Sequence, residues 1–97
     1  MAINKVDYDV LTTGVSVYSN QAGAIDDVIK TLVNMNGQLQ DGWTIQTADA
    51  FIERFESEYK PALYKVEEAV QSISDFINSY MQNRQDDDAR GAAAVRG

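Results

Sequence analysis

The densest run of metal-ligating side chains is Asp86-Asp87-Asp88, three adjacent carboxylates whose natural chemistry is the binding of a hard divalent cation. Calcium, however, needs about six to eight oxygens held in a defined loop with a turn-forming glycine. Here the triplet runs into Ala89-Arg90-Gly91 and three alanines, so a solvated acidic tail is expected and no metal. Histidine and cysteine are both absent, which removes the commonest general base and the most reactive nucleophile. The remaining carboxylates, among them Glu53, Glu56, Glu67, Glu68 and Asp75, lie on the polar faces of helical patterns, with no spacing that brings two together in a pocket. Gly14, Gly23, Gly37 and Gly42 are scattered and build no phosphate loop. The expectation is a protein that is not an enzyme, with no cofactor and no small-molecule substrate. A net charge of -7 repels a phosphate backbone, so no nucleic-acid partner is expected either.

What remains is recognition. The single tryptophan, Trp43, sits in the turn-like string Gln40-Asp41-Gly42-Trp43-Thr44-Ile45, midway between two long apolar-periodic runs. A tryptophan in a connecting segment combines a large apolar area with a polar N–H, and is a fixed packing element when buried. Ahead of it, Leu11, Val15, Tyr18, Ala22, Ile25, Ile29, Leu32, Asn36 and Leu39 alternate in four- and three-residue steps. That is a heptad seam, which wraps left-handedly around a partner helix. Asp7 is placed to cap the start of this helix, with Asp9 adding negative charge in its first turn.

Behind the tryptophan, Ala48, Phe51, Ile52, Phe55, Tyr59, Ala62, Leu63, Val66, Ala69, Val70, Ile73, Phe76, Ile77 and Tyr80 form a second helical stripe. Its arc of about 140° is wider than one partner helix requires, and the excess implies a second surface. Pro61 falls inside this run, where the loss of an N–H and a ring clash predict a kink. The fold class expected is all-α: an antiparallel helical hairpin with a central tryptophan turn, dimerising into a four-helix bundle. Residues 1–84 form the hairpin, with helix 1 over about 8–40, the turn over 41–46 and helix 2 over about 47–84. Residues 85–97 form a flexible acidic tail with no facing helix. Folding back places Leu39 near Ala48, Leu32 near Phe55, Ile25 near Ala62, Tyr18 near Val70 and Leu11 near Phe76. A 97-residue chain without disulfides has a limited core, and association is one remedy. The expected dimer interface is Phe51, Ile52, Phe55, Tyr59, Ala62, Leu63, Val66, Val70 and Ile73.

Chain size, the central tryptophan turn, the spacing from Trp43 to Phe51 and a proline-bearing second helix resemble the WXG family of small helical-hairpin proteins, the early secretory antigenic target type. The resemblance covers roughly residues 3 to 84. It implies a substrate or substrate-partner of a bacterial type VII secretion system, acting as a homodimer, or a heterodimer with a related hairpin, and recognised by the type VII export ATPase. It also assigns the hairpin turn to Trp43, Thr44, Ile45 and Phe51. The chain leaves the family pattern at two places. Ile45 stands where the family has glycine, and the export motif Tyr-x-x-x-Asp/Glu maps onto Tyr80 but meets Arg84 at its acidic position. The N-terminal residues lack the apolar core of a secretory signal and no stretch reaches a membrane span. The expected location is therefore outside the cell without a cleaved signal peptide, or cytoplasmic before export. The rival function is a cytoplasmic chaperone or adaptor that pairs with the helical N-terminal region of a larger secreted toxin.

Overall fold

A computed structural model describes residues 6–96, with side chains described through residue 88. Residues 1–5 of the expected hairpin domain and Gly97 of the expected tail lie outside the described residues. Helix α1 spans Tyr8–Gly42, α2 spans Ile45–Arg54, a π turn follows at Phe55–Tyr59, and α3 spans Lys60–Arg96. The second arm is thus α2, the π turn and α3 in unbroken succession. It lies against α1 to give a rod with principal extents of 75 × 21 × 19 Å. The expected hairpin of two helices is present.

The ends of α1 are set locally. Asp7 has extended backbone, and its carboxylate accepts from the N–H groups of Asp9 and Val10 at 3.1 and 3.2 Å. Two of the donors left free at a helix start are satisfied in this way. At the other end only Trp43 (φ -123°, ψ 162°) and Thr44 (φ -62°, ψ 145°) leave helical geometry. The connection is therefore two extended residues, shorter than the expected turn over 41–46, because Gly42 still belongs to α1 and Ile45 already opens α2. No described residue has a positive φ, so the link needs no glycine.

The seam of α1 follows the heptad reading at seven of its nine positions, Tyr18 and Leu32 being exposed. Its two fully packed side chains, Ala22 and Ile29, are both seam positions. From the other arm come Ala48 and Phe55, and with Ser74 these are all the buried residues among those described. The second arm is disturbed ahead of Pro61. A regular helix would drive the proline ring into the carbonyl of Ser57 and leave that carbonyl without its donor. Instead, the Lys60 N–H bonds the Phe55 carbonyl five residues back, and the widened π turn ends just ahead of the proline. The disturbance takes the form of one residue inserted into the helical winding. The helix also continues past the boundary placed near Arg84, through Arg96.

Across the hairpin, the Ser74 hydroxyl donates to the Val15 carbonyl at 2.9 Å and the Thr12 hydroxyl to Met81 Sδ at 3.4 Å. A Cβ built on Gly14 would lie 3.7 Å from Ile77 Cδ1. The expected pairing of Leu11 with Phe76 is not formed: Phe76 is 72 % exposed, and its successor Ile77 takes the inward place. The 3.7 Å at Gly14 is an ordinary van der Waals distance, so Gly14 faces the second arm without the approach requiring a glycine, and at Gly23 a Cβ would meet no neighbouring atom within 4 Å.

Candidate functional site

The wide apolar stripe of the second arm divides into two rows beyond the π turn. Leu63, Glu67, Val70, Ser74, Ile77, Met81 and Arg84 are part-buried or buried and turned toward α1. Tyr59, Ala62, Val66, Ala69, Ile73, Phe76 and Tyr80 are exposed. Both rows advance in steps of three and four, and they are offset by one residue, about 100° around the helix. The nine residues expected at a dimer interface accordingly occupy different places. Phe55 is buried within the hairpin, and Phe51, Ile52, Leu63 and Val70 are part-buried. Tyr59, Ala62, Val66 and Ile73 are exposed.

The exposed row borders a groove of about 360 Å³ lined by Leu32, Phe51, Phe55, Tyr59, Ala62, Leu63 and Val66, all apolar or aromatic. Leu32 brings α1 into this surface. Val10, Val17, Val28 and Met35, each exposed, lie on the same side of α1 as Leu32 by helical spacing. One side of the hairpin is therefore an apolar face contributed by both arms. The whole chain exposes 7375 Å², against about 5,500 Å² for a compact folded monomer of 10.8 kDa. The excess, roughly 1,800 Å² of polar and apolar surface together, goes with the extended rod shape, which leaves both sides of the hairpin open.

The opposite side is polar. Ser19, Ala22, Gly23 and Asp26 of α1 and Glu67, Glu68, Gln71, Ser72 and Asp75 of α3 line a groove of about 620 Å³. Asp26 is held by Lys30 at 2.8 Å. Glu67 occupies a seam position beside Asp26, and its Oε1 is buried without a hydrogen-bond partner. Two carboxylates offer only acceptors, so a bond between them requires a proton. Burial raises the Glu67 pKa first, and the neighbouring Asp26 carboxylate raises it further, against a lowering by Lys30.

At the hairpin end, Trp43 stacks at a tilt on Phe51 with ring centroids 5.5 Å apart, and Phe51 in turn lies 6.3 Å from Phe55. This aromatic chain connects the turn to the buried Phe55. Trp43 itself is 43 % exposed, so the burial expected of a fixed packing element is incomplete within one chain. Thr44 caps through its backbone, its carbonyl accepting from Ala48 N–H at 2.9 Å, while its hydroxyl bonds that of Thr47. Ile45 is the first residue of α2 and 78 % exposed. It stands where the family has glycine without any conformational conflict.

At the open end, Tyr80 is exposed while Arg84 is part-buried and paired through Nε with Asp88 at 3.6 Å. The Tyr8 hydroxyl donates to the same carboxylate at 3.0 Å. Desolvation raises the Tyr8 pKa first, and Asp88 adds to it. Asp88 thus ties the two arms together and occupies the cation at the position where the export motif has an acidic residue. Sequence reasoning missed this cluster, because the tail was expected to lack a facing helix. Among the described residues no helix is long and apolar enough to cross a membrane.

No curated protein and no solved structure gives a significant match to this chain. A family model described as "Proteins of 100 residues with WXG" does match, over residues 4–89. That span takes in α1, the Trp43 turn, the π turn and most of α3, and the chain belongs to this WXG100 family, small helical proteins linked to type VII secretion.

Proposed function

We propose that the protein is a substrate or substrate-partner of a type VII secretion system and acts by pairing its apolar face with a second hairpin, in the first instance its own copy. Two hairpins joined in this way form a four-helix bundle. The observation that carries the reading is the exposed row from Tyr59 to Tyr80, continued across the groove by Leu32 and the valines of α1. Apolar side chains left in water in a row of this length are the main driving force for association. Within the nine residues expected at the interface, Tyr59, Ala62, Val66 and Ile73 make the direct contact. Phe51, Ile52, Leu63 and Val70 border it, and Phe55 supports it from below. The bundle then presents the open end, with Tyr80 exposed beside the Arg84–Asp88 pair, to the export ATPase. On this reading the protein is cytoplasmic before export and outside the cell after it.

A second reading draws on the same open end. With Arg84 at the acidic position of the export motif and engaged by Asp88, the chain fits an adaptor that pairs with the helical N-terminal region of a larger secreted toxin, which brings the export signal itself. Molar mass by light scattering across a dilution series separates the two. A stable species near twice 10.8 kDa supports the homodimer. A monomer down the whole series rejects it and moves the adaptor reading into first place.

A further inference from the structure

The stripe of the second arm holds two apolar rows, either of which could pack on α1, and the structure selects one of them. Ahead of the π turn the inward positions are Ala48, Ile52 and Phe55. An uninterrupted α-helix would continue that series in steps of four and three through Tyr59, Val66, Ile73 and Tyr80. All four are exposed. The inward row beyond the turn is Leu63, Val70, Ser74, Ile77 and Met81, each one residue later than the uninterrupted series would place it. The contacts Ser74–Val15, Met81–Thr12 and Ile77–Gly14 fix that row against α1. One residue, about 100° of rotation, is the amount that a single π turn adds.

We propose that the π turn at Phe55–Tyr59 is a register shifter that decides which row the hairpin keeps and which it offers to a partner. The turn absorbs one residue ahead of Pro61, so the mixed row carrying Ser74 and Glu67 is retained inside and the aromatic-rich row is turned outward. That outward row is the pairing surface of the proposed function, and in this respect the inference rests on that reading. The assignment of rows to the two sides does not depend on it. The turn is closed by the Lys60 N–H on the Phe55 carbonyl, and the exposed pairs Arg54–Glu58 (3.1 Å) and Lys60–Glu56 (3.3 Å) bridge it on the outside.

A shifter of this kind makes an unusual demand on deletions. Removing Ser57 together with Pro61→Ala, which lifts the ring clash that a regular helix would bring back, takes out the absorbed residue, restores a regular helix and leaves the flanking faces as they are. Removing Ser72, in regular α3, rotates everything beyond it by about 100°. The chain has no cysteine, so a Gly14→Cys/Ile77→Cys pair reports the inward row without background. Oxidation under dilute conditions should close this disulfide in the otherwise unaltered chain and in the Ser57 deletion, and fail to close it in the Ser72 deletion. The Gly14→Cys/Phe76→Cys pair should close in neither the unaltered chain nor the Ser57 deletion. Loss of the Gly14–Ile77 disulfide in the Ser57 deletion, with helicity retained by circular dichroism, would overturn the proposal. So would equal closure in the two deletions. If the Ser57 deletion unfolds, deletion of Glu58 in its place takes one residue out of the same turn and gives the same decision; if the Ser72 deletion unfolds, insertion of one alanine after Ser72 must move the closure from position 77 to position 76. The disulfide forms within one chain, so a monomeric protein would defeat the pairing function and leave this test intact.

Discussion

The two sides of the hairpin are built from the same pair of helices and have opposite chemistry. On one side Leu32, Tyr59 and Val66 line an apolar groove; on the other Asp26, Glu67 and Asp75 line an acidic one. Apolar area gains by meeting another apolar surface. Carboxylates held close together gain by staying wet or by taking up a proton. A second hairpin therefore has one side to choose, and the acidic side acts against pairing in the reverse orientation, where like charges would be buried together.

The contrast breaks most completely if the apolar side is given charge. Ile73→Asp places a carboxylate in the middle of the outward row, and should weaken self-association by at least about 100-fold while the hairpin itself changes by no more than about 0.5 kcal/mol. Sedimentation velocity beside thermal melting reads both quantities. An unaltered association constant would mean that the apolar side is not the contact. Next in size is the joint beneath that side. Phe55 is buried, so Phe55→Ala should cost about 3 to 5 kcal/mol, read as a lower urea midpoint. Trp43→Ala should cost less, about 1 to 2 kcal/mol, because nearly half of the indole is in water and its packing rests on the Phe51 stack. A loss as large as that of Phe55→Ala would show that a partner chain completes the burial of Trp43. Ser74→Ala removes the 2.9 Å bond that fixes α3 on the Val15 carbonyl and should cost about 1 kcal/mol.

The smallest effect sharpens the acidic side. Glu67 has a folded-state pKa raised above its ordinary value, so the folded chain holds the proton more tightly than the unfolded chain does. Its contribution to stability is full below the ordinary glutamate pKa and is lost as pH rises through the raised value. Glu67→Gln supplies an amide N–H to Asp26 at every pH, and should be slightly more stable than the unaltered chain near neutrality with this part of the pH dependence gone. Parallel melting curves against pH test this, and identical slopes for the two chains would refute the carboxylate contact.

The first arm was legible in most of its seam, Tyr18 and Leu32 being the positions that are exposed instead of packed. Its seam alternates without a break, Asp7 is a cap of the preferred type, and Ala22 and Ile29 are buried where the heptad put them. The second arm was legible as a helix and not as a register. Both of its rows are apolar for most of their length, so periodicity could not separate Phe76 from Ile77. The only local signal for the inserted residue is Pro61, which announces a disturbance without naming its kind. The polar seam residues Glu67 and Ser74 carried the missing information: a glutamate and a serine facing α1 find their roles in a carboxylate beside Asp26 and in the Val15 carbonyl, neither of which can be seen before the two arms are aligned. The Tyr8–Asp88–Arg84 cluster was out of reach for a related reason, since it joins the first turn of α1 to a stretch read as tail.

The two-residue link at Trp43 and Thr44 also orders the hairpin in time. Contacts near it join residues close in the chain, whereas the Ser74–Val15 bond closes a separation of 59 residues and the Tyr8–Asp88 bond one of 80. Long loops are costly to close from an open chain, but each is nearly closed once the contacts inside it exist. Folding then proceeds as a zipper from the Trp43 end, and opening begins at the other. Amide protection should fall along both arms toward Tyr8 and Asp88, so the first segment to be released from the rod is the one that carries Tyr80.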